Sequence, residues 1–375
     1  MINNIEITEE LCGELWPYIQ NDDITDIRWN GNKLWLNDLK KGRYVAKNEN
    51  GEDVKLDPSQ LEIFCSKVAN ANNVTFNYSN AQLQADLKTL RVQAVHPSVA
   101  CHSKLTVSIR KTPACARLDE QNLVEEGYMD ELTNKLIPCL MRARLSGFVI
   151  GEVGAGKTEL QKWMMKFIPW YDAIYTVEDT AEMKADELYP EKDIIPLKCN
   201  ELTFTEKDAI KTGLRMLNKW LILAEARGDD ILNVITGASS SCTALCSIHC
   251  ENTWDVPDRI MNMIGKADRD EGVKNDIFTF FKYAIKVRQH ITKEGIRRDI
   301  DQISFFYREN EQNHTVRFIQ NGRLTGEKLP QEFIDKINNA EFEDVDQYEL
   351  PFLELYNNKM QSFNNNQQEG ANYNG

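Results

Sequence analysis

The stretch Phe148-Val149-Ile150-Gly151-Glu152-Val153-Gly154-Ala155-Gly156-Lys157-Thr158 decides how this chain folds. Its last eight residues satisfy G-x-x-x-x-G-K-[ST]. An apolar run precedes them, and Leu160, Trp163, Met164 and Phe167 follow at the spacing of one helix face. Strand, glycine turn and helix are the context that a phosphate-cradling loop needs. Glycines let the backbone wrap until successive N–H groups point at phosphate oxygens, and the helix adds its positive N-terminal end. In such a loop Gly151, Glu152, Val153, Gly154, Ala155 and Gly156 form the cradle. Lys157 reaches the β- and γ-phosphates, and Thr158 offers a hydroxyl to Mg²⁺. The pattern points to ATP with Mg²⁺ as the ligand.

Downstream, Ile174–Val177, Trp220–Ala224, Thr243–Ile248 and Tyr283–Val287 read as buried strands separated by helical stretches. That alternation predicts a parallel sheet with helices on both faces. Upstream the pattern differs. Residues 24–45 alternate apolar and polar positions around the hairpin dipeptide Asn30-Gly31. Asp57-Pro58 opens a helix with Leu61, Phe64, Cys65 and Val68 on one side, and Leu90–Val95 and Leu105–Ile109 are further strands. The expected fold is α/β, a P-loop domain preceded by a smaller N-terminal α/β domain. The expected boundaries are 1–112 for the N-terminal domain, 113–143 for a helical connector and 144–335 for the P-loop domain. An acidic, Asn/Gln-rich tail, 336–375, is expected to be disordered.

A P-loop ATPase needs carboxylates at the ends of neighbouring strands to hold metal and polarise water. Glu178-Asp179 ends one strand and Glu225 another. A strand-end acid alone is more often a cap or a solvated loop residue; the upstream P-loop changes that weighting. The segment Thr176-Val177-Glu178-Asp179-Thr180-Ala181-Glu182 resembles the Asp box of the secretion and type IV pilus traffic ATPases. Leu214-Arg215-Met216 with Leu221-Ile222-Leu223-Ala224-Glu225-Ala226-Arg227-Gly228 resembles their Walker B segment, and Ser247-Ile248-His249-Cys250-Glu251-Asn252 their His box. Leu90-Arg91-Val92 and Leu105-Thr106-Val107-Ser108-Ile109-Arg110-Lys111 are similar to the family's pair of arginine-bearing strands. The resemblance covers about residues 24–310 and is strongest to tight-adherence pilus and conjugative members. The chain departs from the pattern at Asn218-Lys219, at Ala224 and at Ser239–Thr243, where the family carries Pro-Asp, Gly and a Gly-His-x-Gly segment.

The resemblance implies a RecA-like ATPase domain in a ring of six copies. In that reading Glu225 and Glu178 position and activate water, with Thr158, Glu178 and Asp179 at the metal. Arg91 and Arg110 reach a nucleotide bound to the neighbouring subunit. Arg227 lies in or near the site, and His249 senses or couples the γ-phosphate. The implied function is a motor for pilus assembly, secretion or conjugation, partnered by inner-membrane platform or secretion-channel proteins. Two rivals remain: a nucleic-acid-dependent translocase of the same fold, and a nucleotide-switched assembly scaffold.

Composition narrows these. The net charge of −14 and the lack of Lys/Arg clusters weigh against direct nucleic-acid binding. Nine cysteines without a repeating framework read as reduced thiols, and Cys242, Cys246 and Cys250 suit core positions. Met1–Glu6 lack the features of a signal peptide, and no apolar run approaches the ~20 residues of a membrane span. The expected location is the cytoplasm, with peripheral association at the inner face of the membrane through partners.

Overall fold

In the computed structural model of the chain, Asn30 fixes the first hairpin: its side-chain oxygen accepts from the Asn32 and Lys33 amides at 3.1 and 2.9 Å. The structure describes residues 6–118, 122–200, 203–228, 230–240, 242–265, 268–292, 295–342 and 352–372. The chain forms two units: Met1–Ala114 with His290–Arg297, and Cys115–Gln289 with Arg298–Gly375.

In the first unit, β1 (Ile24–Trp29), β2 (Leu34–Asp38), β3 (Gly42–Val45), β4 (Gln82–Leu87), β5 (Leu90–Val95) and β6 (Thr106–Lys111) build one sheet. Its order is β3-β2-β1-β6-β5-β4, with every neighbouring pair antiparallel. Period-two alternation puts Ile27, Val92, Val107 and Ile109 in a common core with Leu61, Phe64, Cys65 and Val68 of the helix Pro58–Ala71. That helix starts where the sequence predicts: Asp57 caps it by accepting from the Ser59 amide at 2.9 Å, and Pro58 stands in its first turn. The other sheet face is polar. One cross-strand row on it reads Asp26, Arg110, Arg91, Asp86.

The second unit holds β7 (Ser146–Ile150), β8 (Ile174–Glu178), β9 (Ile194–Lys198), β10 (Trp220–Leu223), β11 (Thr243–Ile248), β12 (Phe281–Thr292), β13 (Gly295–Glu309), β14 (Gln312–Gln320) and β15 (Arg323–Leu324). The order is β15-β14-β13-β12-β7-β11-β10-β8-β9, parallel from β12 to β9. Every residue of β7, β8, β10 and β11 is buried, the signature of a sheet covered on both faces. Val149 packs in one core with Leu160 and Trp163; its neighbours Phe148 and Ile150 pack in the other with Ile231 and Val234.

Two expectations need correction. The helix Glu131–Arg142, within the stretch expected as a connector, is part of the second unit's core through Leu132, Leu136, Ile137 and Leu140. Its apolar face leaves it no freedom to serve as a linker. The tail expected to be disordered contains the helices Gln331–Phe342 and Phe352–Asn372. Phe352, Tyr356 and Met360 recur every fourth residue and are buried, and the Tyr356 hydroxyl accepts from the Leu329 amide at 3.0 Å. Asn/Gln content masks that stripe. Residues 343–351 and 373–375 of the same tail lie outside the described residues.

Candidate active site

Strand order assembles the site. Going along the sheet from β7 one meets β11, then β10, then β8. The residues that follow these strands come to stand side by side at the carboxyl ends of a parallel sheet, where such sheets bind ligands. The P-loop follows β7, His249 follows β11, Glu225 follows β10, and β8 ends in Glu178 with Asp179 next. Because β11 separates β7 from β10, His249 falls between the P-loop and Glu225. Its Nδ1 lies 3.0 Å from the Gly151 carbonyl oxygen and 3.3 Å from Lys157 Nζ, and its Nε2 lies 3.1 Å from Glu225 Oε1. Arg227 continues the row, donating to Glu225 at 2.7 Å and to Asp179 at 3.1 Å.

Locally the loop obeys its sequence. Gly156 has φ +100°, a left-handed conformation that a side chain would strain, and it caps the helix Lys157–Met165. A Cβ on Gly151 would collide with the Val287 carbonyl oxygen of β12. Lys157 folds back on its own loop and donates to the carbonyls of Gly151 (3.1 Å) and Glu152 (3.0 Å). Gln161, fully buried, ties the P-loop helix to β10 by donating to the Leu223 carbonyl at 2.9 Å. Ser247 of β11 donates to the Ala224 carbonyl, and Ala226 N to the Ser247 carbonyl at 2.9 Å, which fixes the turn that carries Glu225.

The row is electrostatically graded. Burial pushes the Glu225 carboxyl up, but the Arg227 hydrogen bond and charge, with His249 and Lys157, outweigh it and hold the group below its ordinary value. Glu225 is therefore an ionised acceptor at neutral pH. Burial pushes Lys157 down, partly offset by Glu225. Arg227 is raised by its bond to Glu225. Glu178 differs: only 5 % exposed, it is pushed up to about 7 by burial, against the Met183 and Glu182 amides. Those two amides donate to its Oε2 at 2.9 and 2.6 Å, so one oxygen shapes the turn after β8.

Thr158 sits one residue into the P-loop helix, and Asp179 is exposed. Arg91 and Arg110 belong to the first unit, opposite each other on β5 and β6, with Arg110 bonded to Asp26 at 3.0 Å. Two groups escape the sequence reading. Glu206 opens the helix Glu206–Gly213, and burial, with Asp230 beside it, raises it to about 8; Arg227, Asp179 and Glu225 all act on it. Arg298 of β13 points its Nη2 at the Gly154 carbonyl, 3.3 Å away. No local motif marks either residue; only the tertiary fold brings them in.

A family model described as "Type II/IV secretion system protein" matches residues 79–277. The chain belongs to that family. Its relatives include an uncharacterised Bacillus anthracis protein, 25 % identical over 343 residues, covering 88 % of this chain and 75 % of the other. The type IV secretion system protein VirB11 of Brucella suis is 27 % identical over 202 residues, covering 44 % of this chain and 54 % of VirB11. The chain thus spans about half the length of that relative. Among solved structures, the ATPase DotB of Legionella pneumophila superposes with TM-score 0.58 at 15 % identity, covering 91 % of this chain and 89 % of DotB. The pilus retraction motor PilT, solved with bound ADP, gives TM-score 0.57 at 16 % identity, covering 91 % and 88 %. As in the type II/IV secretion family, the fold is an N-terminal α/β domain followed by a RecA-like domain.

Proposed function

We propose that this chain hydrolyses ATP with Mg²⁺ in its P-loop and couples turnover to pilus assembly, secretion or conjugation. The observation that carries this reading is the unbroken row Lys157, His249, Glu225, Arg227, Asp179 across the carboxyl ends of neighbouring strands. The glycine geometry at 151 and 156 suits a bound phosphate chain, and the donors and carboxylates suit a metal-bound triphosphate.

Bound ATP supplies the phosphoanhydride bond. Lys157 would exchange two loop carbonyls for phosphate oxygens, a better match for its charge. Thr158 would offer its hydroxyl to Mg²⁺, with Glu178 and Asp179 as carboxylates toward the metal. Glu225 would orient a water and take its proton as the bond to the γ-phosphorus forms and the bond to the leaving oxygen breaks. His249 would report the state of the P-loop to Glu225 through its two ring nitrogens. In this reading the second unit, Cys115–Gln289 with Arg298–Gly375, is the motor domain. Residues 1–112 supply Arg91 and Arg110 to a nucleotide on a neighbouring copy in a ring of six, working at the cytoplasmic face of the membrane with platform or channel proteins.

Phosphate release from ATP, with and without DNA, tests this. Wild-type protein should turn over at a rate insensitive to DNA, and Lys157→Ala should lose at least ~100-fold while still folding. Equal release by Lys157→Ala defeats the proposal; several-fold, salt-sensitive stimulation by DNA favours a translocase.

A further inference from the structure

The ends of β8 and β10 remote from the candidate active site hold large apolar side chains in water. Trp170 is 70 % exposed, Tyr171 54 %, Met216 45 % and Leu217 96 %. The first two occupy the turn before β8 and meet edge to face at 5.7 Å; the others occupy the turn before β10. Strand pairing makes the turns neighbours. Trp220 pairs with Ile174, the Lys219 and Trp220 amides both donate to the Ala173 carbonyl (2.9 and 3.0 Å), and the Trp220 indole donates to Asp172 at 3.2 Å. Scattered exposed apolar residues need no explanation, but four in two adjoining turns do.

Leu217 is also strained. Its φ of +55° lies in the left-handed region, which glycine or asparagine adopts more readily than a leucine. The Met216 amide and the Asn218 side chain both donate to the Gly213 carbonyl, at 3.0 and 2.8 Å, closing the helix end and leaving Leu217 at the tip. The fold gains no buried area from that side chain.

Cations stand around the patch. Lys166, Arg215 and Lys219 are exposed. Asp172 is buried under Arg144, which holds it at 2.7 and 3.1 Å and lays its guanidinium over the Tyr171 ring at 5.6 Å. On the other side of β8, exposed Glu191 and Asp193 flank Lys192 before β9, and the Asp193 carbonyl accepts from the Ile174 amide at 2.8 Å. The chain's net charge of −14 does not govern this patch, since charges beyond about 8 Å are screened at physiological salt.

We propose that this end of the second unit docks on an anionic lipid bilayer. Trp170 and Tyr171 sit at headgroup level, Leu217 enters the tops of the acyl chains, and Lys166, Arg215 and Lys219 meet lipid phosphates. Amphipathic aromatic rings favour that interface, and the cationic rim selects anionic lipid over a purely apolar protein groove. Among the described residues no helix is long and apolar enough to cross a membrane, so attachment here is to a surface.

Vesicle flotation of the full chain tests this apart from any ATPase activity. Binding should appear on phosphatidylcholine vesicles only when phosphatidylglycerol is added, and should weaken with salt. Leu217→Asp and Lys219→Glu should each lower it roughly fivefold or more without loss of folding, because both side chains are exposed. Leu217→Asn, which suits the left-handed backbone, should raise the Tm and still lose binding. No binding to the anionic vesicles, or equal binding by these variants, overturns the proposal. So does a fall in oligomer size for Leu217→Asp in the absence of lipid, which would assign the patch to a second copy of the chain.

Discussion

Two rows of charged side chains cross the two sheets, and they are built differently. In the first unit Asp26, Arg110, Arg91 and Asp86 stand on the open face of an antiparallel sheet, one from each of four strands. In the second unit Lys157, His249, Glu225, Arg227 and Asp179 stand beyond the ends of a parallel sheet. The first row rests on strands, whose pairing fixes which residues face one another. Two arginines directly opposite repel, and the flanking aspartates offset that cost. The second row rests on turns after the strands and on the first residue of the P-loop helix. The rigid row suits a group that must wait in place for a ligand. The row on turns suits groups that change partners during a reaction cycle.

The largest effect is expected at Arg110. If the face row serves a nucleotide on another copy, Arg110→Ala should lower turnover about 10³-fold or more. Mixing Arg110→Ala with Glu225→Gln should then restore part of it, because some mixed interfaces pair an intact arginine with an intact carboxylate. A lowered Tm with unchanged turnover per folded chain would make the row a structural feature of its own sheet.

A smaller effect is expected at Glu178, the last residue of β8 and the neighbour of Asp179 in the second row. Burial keeps Glu178 neutral up to about pH 7, so its charged form appears only as pH rises past that value. If the carboxylate serves the metal, turnover should fall about tenfold per pH unit below 7. Glu178→Gln should be slow throughout and lack that limb. An unchanged limb in the variant would leave Glu178 the single task of bonding the Glu182 and Met183 amides.

The two rows also differ in how far the sequence reveals them. Alternation along Leu90–Val95 and from Leu105 to Ile109 is enough to find the strands that carry Arg91 and Arg110. Which residues face across the strands comes only with the register. The buried strands Ile174–Glu178 and Thr243–Ile248 are visible as apolar runs, and the motifs after them and after β10 single out His249 and Glu225. The contact between those two depends on the order β7-β11-β10-β8, which no local pattern encodes. Glu206 and Arg298 reach the site through tertiary packing alone, so neither is legible beforehand. The tail misleads for the opposite reason. Average composition suggests disorder, while three apolar residues at helical spacing decide the fold.

Glu225 is held ionised by Arg227 and touches His249; in the proposed mechanism it would act on the reacting water and contribute little to holding the nucleotide. Nucleotide affinity and phosphate release measured side by side on Glu225→Gln separate those two tasks. The mechanism requires near wild-type ATP affinity with release slowed by about 10² or more, because the amide keeps the shape and loses the base. Phosphate release at the wild-type rate by that variant would contradict it.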